Sequence, residues 1–225
     1  MAEDTGRMDA LKAVLWDLDG VIADTWAAHF VTWQWAMAES GHPFDEADFR
    51  RIFGIANTDA VRLLLGETVP VHEMVRTGER KEALFREIVQ VHVSLMPGVV
   101  MWLERLRQEG YRQAIASSAP RENLDVLLHV LDIEPYFQAV VSADDVTKGK
   151  PDPTIFLEAA AALGVPPSRC VVVEDAVAGI QAARRAGMVC LAVATTEPAE
   201  RLSDADLVVE CLTELAEDAF ERLLD

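Results

Sequence analysis

The chain has 225 residues, with 20 Lys+Arg against 38 Asp+Glu and a formal charge of −18, a length that suggests one or two domains. Apolar residues make up 51% and charged residues 26%, ample for a sizeable core and too hydrophobic for a disordered chain. A pI near 4.6 repels phosphate backbones, which argues against a nucleic-acid partner and requires any anionic substrate to be met by a metal ion or a local basic pocket.

The first residues, MAEDTGRMDALK, are polar and acid-bearing, unlike a leader peptide. Ala13–Trp16 is a short unbroken apolar run that ends abruptly in Asp17-Leu18-Asp19-Gly20, as expected of a strand covered on both faces. From about Thr25 to Leu95 the pattern is helical, with no convincing strand. Trp26, Phe30, Trp33 and Met37 form one apolar stripe, and further helices are predicted over Glu46–Ile52, Thr58–Leu65 and Glu79–His92. Met96-Pro97-Gly98 is a turn that returns the chain to alternating order. Strands are then predicted at Gln113–Ala116, at the weaker Ala139–Val141, at Cys170–Val173 and at Val189–Val193, with helices over Val99–Glu109, 121–131 and 153–163 between them. Gly110 and Gly164 are helix stops. No apolar run approaches the ~20 residues of a membrane span, so no membrane partner is expected. Cys170, Cys190 and Cys211 are odd in number and show no CxxC spacing. They read as apolar fillers in a reduced compartment, which implies a soluble cytoplasmic protein.

Alternating strands and helices of these lengths predict a doubly wound, Rossmann-like parallel α/β core, interrupted by an all-α insertion. The expected division is a core of 1–24 and 96–225 and a helical cap of 25–95. An insertion directly after the first strand's acidic end would lie over a ligand site at the strand carboxyl ends.

The residues that could carry chemistry stand at those ends. Two carboxylates at i and i+2, Asp17 and Asp19, converge once the chain turns, and Gly20 permits the φ angles of such a turn. Carboxylates this close repel one another unless a divalent metal intervenes, and oxygen-rich sites suit magnesium. Ser117 supplies a hydroxyl, and the amides of Ser118 and Ala119 could face an anion. Lys150 lies in Gly149-Lys150-Pro151-Asp152-Pro153, stiffened by two prolines. Glu174 and Asp175 add two further acids. Each of these, read singly, is also an ordinary turn, helix cap or solvated side chain. Together they suit phosphoryl transfer to a carboxylate.

The set of D-x-D-G-V at Asp17–Val21, Ser117, G-K-P at Gly149–Pro151 and E-D at Glu174–Asp175 resembles the haloacid dehalogenase superfamily. The string Val173–Ala183 with Ala186-Gly187-Met188, and the helical insertion, resemble its β-phosphoglucomutase and phosphatase branch. The resemblance implies that Asp17 is the nucleophile and forms an aspartyl-phosphate, and that Asp19 is the general acid and base. It implies Mg²⁺ held by Asp17, the Asp19 backbone carbonyl and Asp175 with help from Glu174. Ser117 and Lys150 would hold the transferring group's oxygens, with Lys148 a nearby competitor for the second role.

In the cap, His29 keeps the spacing of a sugar-binding or proton-handling histidine in the mutases, or else is simply packed on the first cap helix. Lys81 resembles a basic position facing the site, against the alternative of a solvated helix face, and Arg121 could serve the same purpose from the core. Around Gly54 the mutases place basic residues that grip a second phosphate. Phe53 and Asn57 stand there in this chain, which favours a phosphatase of small phosphorylated metabolites, sugar phosphates or phosphoglycolate, over a β-phosphoglucomutase-like isomerase.

A haloacid dehalogenase proper has no need of Asp19 or a metal. A phosphonatase would want an early cap lysine, and none occurs between Lys12 and Lys81. A phospho-accepting receiver module, the non-enzymatic alternative, would need neither Asp19 nor a cap. The acidic surface suggests a monomer or small homo-oligomer.

Overall fold

The computed structural model describes residues 11–225. Residues 1–10, which carry most of the polar N-terminal sequence, lie outside that range. The chain divides into two compact units, one comprising the chain up to Asp24 with Ser94–Asp225 and the other Thr25–Val93. Strand β1 (Ala13–Trp16) and the two-residue β2 (Ala23–Asp24) precede the break, and β3 (Ser94–Leu95) follows it, antiparallel to β2. This last strand falls where the pattern predicts none, because two residues are too few for a period to show.

The helical unit contains α1 (Trp26–Glu39), α2 (Glu46–Ile52), α3 (Asn57–Leu65) and α4 (Val71–Val89). The predicted stripe of α1 does its work here: Trp33 and Met37 are buried against Phe49, Ile52, Val61 and Met74, with Trp26 and Phe30 at the margin. Trp26 meets Phe49 edge-on at 4.6 Å between ring centroids. Helix α2 begins with a capping box, in which the Asp45 side chain accepts from the Asp48 amide at 2.9 Å. Helix α4 begins at Val71 rather than Glu79. Thr77 and Gly78 are weak helix formers that mask its first turns. The glycine is nevertheless needed inside the helix, since a Cβ there would lie 2.8 Å from the Asn57 Cβ.

The α/β unit continues with α5 (Val99–Gln108), β4 (Arg112–Ala116), α6 (Arg121–Val130), β5 (Ala139–Val141), α7 (Thr154–Leu163), β6 (Cys170–Glu174), α8 (Val177–Arg185), β7 (Val189–Val193), β8 (Leu207–Val209) and α9 (Ala219–Leu224). Six strands form one parallel sheet in the order β5-β4-β1-β6-β7-β8. The doubly wound parallel α/β core expected from the strand and helix pattern is therefore present. Every residue of β1 and β6 is buried, which is why both read as unbroken apolar runs. The half-buried edge strand β8 has no such run and escapes the pattern. Strand β1 is central, and the chain leaves it toward β4 and β5 on one side, then toward β6, β7 and β8 on the other. Its carboxyl end is thus the switch point of the sheet, where ligands of such folds bind.

Leu15, Ala116, Val172, Phe156, Ile180 and Cys190 belong to the apolar core on one sheet face. Cys170 and Cys190 are free buried strand residues, and burial pushes the Cys170 thiol up to about 12. Near the other face, Gln113 is fully buried; it accepts from Trp16 Nε1 at 3.1 Å and donates to the Leu103 carbonyl at 2.9 Å. Gln113→Ala strands the indole N–H and is expected to cost about 1–3 kcal/mol, read as a lower urea midpoint at unchanged slope. An unchanged midpoint would mean that the pair contributes nothing. Among the described residues, no helix is long and apolar enough to cross a membrane.

Candidate active site

The register of the sheet brings the acidic strand ends level. Trp16 is aligned with Ile115 of β4 and with Val173 of β6, and the Asp17 amide donates to the Val173 carbonyl at 2.9 Å. The chain then turns sharply: the Ile22 and Ala23 amides both donate to the Leu18 carbonyl, and the Gly20 amide donates to the Ala23 carbonyl. Gly20 has φ 79°, which is the freedom the turn demands. It has a second reason to be glycine, since a Cβ there would overlap Asp175 Oδ2.

Lys150 joins the acids. Its Nζ donates to Asp17 Oδ1 at 2.5 Å and to Glu174 Oε1 at 2.6 Å, and only 7% of its side chain is exposed. Asp17 is 8% exposed, Glu174 1% and Asp175 3%. The other Glu174 oxygen, Oε2, accepts from the amides of Asp175 and Ala176, each at 2.9 Å. Both oxygens of Glu174 are therefore engaged by Lys150 and the backbone. Helix α8 makes room for this carboxylate, because a Cβ on Gly179 would overlap Glu174 Oε1. Asp175 Oδ2 accepts from Thr196 Oγ1 at 2.6 Å. Of the two lysines weighed for the cationic role, Lys148 is exposed and Lys150 is the one between the carboxylates.

Burial pushes the Asp17 carboxyl up to about 7; Glu174 and Asp19 push the same way, and Lys150 pulls against them. Asp175 is raised by burial, then by Glu174 and Asp17, against the pull of the Thr196 hydrogen bond and of Lys150. For Lys150, burial acts against the charge, but Asp17 and Glu174 more than offset it and hold the ammonium above its ordinary value. Three buried carboxylates thus face one ammonium, an excess of negative charge that a bound cation would relieve. The donors are all hard oxygens, as magnesium requires. Among the described residues, no group of three or more His, Cys, Asp or Glu is arranged to hold a metal. One or two carboxylates suffice for magnesium. Magnesium is commonly held in that manner, retaining water and substrate oxygens as its other ligands.

The remaining predicted residues are distributed as follows. Asp19 is half-buried in the turn. Ser117 is buried at the end of β4, and its Oγ accepts from the Ala119 amide at 3.1 Å. Ser118 is exposed and Ala119 half-buried. The Arg121 side chain does not join the acids; it is paired with Asp125 one turn along α6 at 2.9 Å, on an exposed face.

In the helical unit, Lys81 is 3% exposed, a departure from the solvated helix face that its charged neighbours suggest. Its Nζ meets His29 Nδ1 and Glu82 Oε1, each at 2.9 Å. The Asn57 side-chain Nδ2 donates to the same Glu82 oxygen at 2.7 Å. His29 stacks on Phe85 at 4.1 Å, so it is packed within the helical unit as well as bonded to Lys81.

Three residues at the acids have no role in the motif reading: Gly179, Thr195 and Thr196. Gly179 could have been found as a glycine in a helix interior, where it costs stability unless something needs the space. The two threonines follow a predicted strand, but no local spacing links them to Gly20 or Asp175.

The family described as haloacid dehalogenase-like hydrolase matches residues 11–187. The chain is 36% identical over 212 residues to the β-phosphoglucomutase of Bacillus subtilis (strain 168), covering 91% of this chain and 92% of that protein. It is 33% identical over 183 residues to a phosphorylated carbohydrates phosphatase of Thermotoga maritima, covering 79% of this chain and 82% of that one. Among solved structures, a haloacid dehalogenase hydrolase of family IA, variant 3, from Entamoeba histolytica superposes with a TM-score of 0.87 at 26% identity, over 95% of this chain and 99% of that one.

Proposed function

The chain belongs to the haloacid dehalogenase-like hydrolases, and from that premise we propose that it is a Mg²⁺-dependent phosphatase of small phosphorylated metabolites that works through an aspartyl-phosphate at Asp17. One observation carries the reading: a buried carboxylate at the switch-point strand end, held by a buried ammonium and flanked by Glu174 and Asp175.

Asp17 attacks phosphorus with one carboxylate oxygen, and the ester P–O bond breaks. Asp19 gives its proton to the departing alkoxide oxygen. Asp19 then takes a proton from water as that water attacks the phosphorus, the acyl-phosphate bond breaks, and inorganic phosphate leaves with the Asp17 carboxylate restored. Proton supply and recovery at a single side chain balance over the cycle. Lys150 fixes the nucleophile and supplies positive charge, and Ser117 offers a hydroxyl to a phosphoryl oxygen; such positioning and electrostatic roles dominate phosphoryl-transfer catalysis. Glu174 is read as the residue that holds Lys150 in place. Asp17, Asp175 and the Asp19 carbonyl would hold Mg²⁺, which when bound neutralises charge on the phosphoryl oxygens.

The helical unit is proposed as the cap that selects the substrate, and the phosphorylated-carbohydrate relative favours a sugar phosphate over phosphoglycolate. A hexose phosphate isomerase is the second reading, supported by the identity to the Bacillus mutase and by the His29–Lys81 contact. Phe53 and Asn57 weigh against it, because neither brings the positive charge that a second phosphate needs.

With Mg²⁺ present, a panel of sugar phosphates and phosphoglycolate is expected to release inorganic phosphate, and chelation of the metal is expected to stop it. Conversion of β-glucose 1-phosphate to glucose 6-phosphate faster than phosphate release would replace the phosphatase by the isomerase. Activity undiminished by chelation would remove the metal.

A further inference from the structure

We infer that Thr195 and Thr196 form a positioning pair that sets the spacing between the two halves of the cation site; the inference rests on the reading of Asp175 as a cation ligand. The two residues follow β7 and bond in different directions. Thr196 Oγ1 lies 2.6 Å from Asp175 Oδ2 and 3.0 Å from the Asp175 carbonyl oxygen. Thr195 Oγ1 donates to the Gly20 carbonyl at 2.7 Å. One dipeptide therefore ties the β1 turn, which carries Asp17 and Asp19, to the acid that follows β6.

The packing has no slack. A Cβ on Gly20 would overlap Asp175 Oδ2 and would lie 2.9 Å from the Thr196 methyl carbon. Asp175 Oδ2 thus occupies the gap left by the missing Gly20 side chain, with the Thr196 hydroxyl aimed at it. A hydroxyl carries one proton, and the nearer, charge-bearing oxygen takes it in preference to the carbonyl. This fixes the rotation of the carboxylate and which of its oxygens is presented away from Thr196. Residues that orient a ligand in this way typically change metal affinity 10–100-fold when removed.

The test is Mg²⁺ binding to the substrate-free protein, followed by isothermal titration calorimetry and by the Mg²⁺-induced rise in melting temperature, for the natural chain and for Thr195→Val, Thr196→Ser, Asp175→Asn and Thr196→Val. Thr195→Val and Thr196→Val each keep the shape and remove the hydroxyl. Each is expected to weaken Mg²⁺ binding on the order of 10–100-fold, while Thr196→Ser stays within about twofold because the hydroxyl remains. Should Thr196→Val not fold, Thr196→Ala gives a second removal of the hydroxyl with the same expected loss.

If Asp175→Asn weakens binding and neither hydroxyl deletion does, the positioning role is wrong and the cation site stands. If Asp175→Asn leaves binding unchanged, the ligand reading itself fails and the inference falls with it. A fall in melting temperature in chelator, with Mg²⁺ affinity intact, would make the pair merely structural and would overturn the inference.

Discussion

Asp17→Asn is expected to reduce Mg²⁺-dependent phosphate release on the order of 10⁴-fold or more, the scale seen when a nucleophile is removed. The amide is isosteric and can still accept from Lys150, but it cannot attack phosphorus as a carboxylate does. The fold should survive, because the change removes a charge from a site that is 8% exposed and leaves no cavity. Steady-state phosphate release and a melting curve on the same preparation check both halves of the expectation. A variant that is folded and still active would remove Asp17 from the nucleophile's role.

Lys150→Met is expected to have the largest effect on stability. The ammonium lies between Asp17 and Glu174 at 2.5 and 2.6 Å, and its loss leaves two buried carboxylates without their counter-charge. Removing one partner of a buried ion pair costs about 3–5 kcal/mol, which for a chain of this size is roughly 6–20 °C in melting temperature. Methionine keeps most of the stem and removes the ammonium, which lies 4.9 Å from the Phe156 ring centroid, so the loss reports charge rather than volume. Lys150→Arg should not restore it, since the planar guanidinium does not fit a site shaped for a compact ammonium. Thermal melts in chelator measure the effect, and an unchanged melting temperature would show that the carboxylates need no counter-ion.

How far the fold is readable from residues alone depends on burial. Strands β1, β4, β6 and β7 announce themselves because both faces are covered and few polar residues interrupt them. The edge strand β8 and the two-residue β2 and β3 carry no such run. The start of α4 is hidden by Thr77-Gly78, and its cause, the approach of Asn57, is a contact between helices that no local window contains.

The candidate site divides along the same line. Asp17, Glu174 and Asp175 are found because they stand at strand ends, and Lys150 because it lies in a proline-stiffened Gly-Lys-Pro stretch that resembles the family's motif. The structure then brings them within bonding distance or electrostatic reach of one another. Lys81 is misread by its neighbourhood: Glu79 and Arg80 are exposed, yet the next residue turns inward to His29 and Glu82. Arg121 follows the Ser117 loop, but its side chain closes on Asp125 within its own helix. Thr195 and Thr196 act on residues more than 20 positions away, so only the folded chain displays their partners.

The most direct test is to stop the reaction with acid during turnover of a sugar phosphate in Mg²⁺ and to locate the covalent phosphoryl group by peptide mass spectrometry. The group is expected on the Asp17 carboxylate, labile to base, and absent from Asp17→Asn. A phosphoryl group on Ser117, on His29 or on any other side chain during productive turnover would contradict the account.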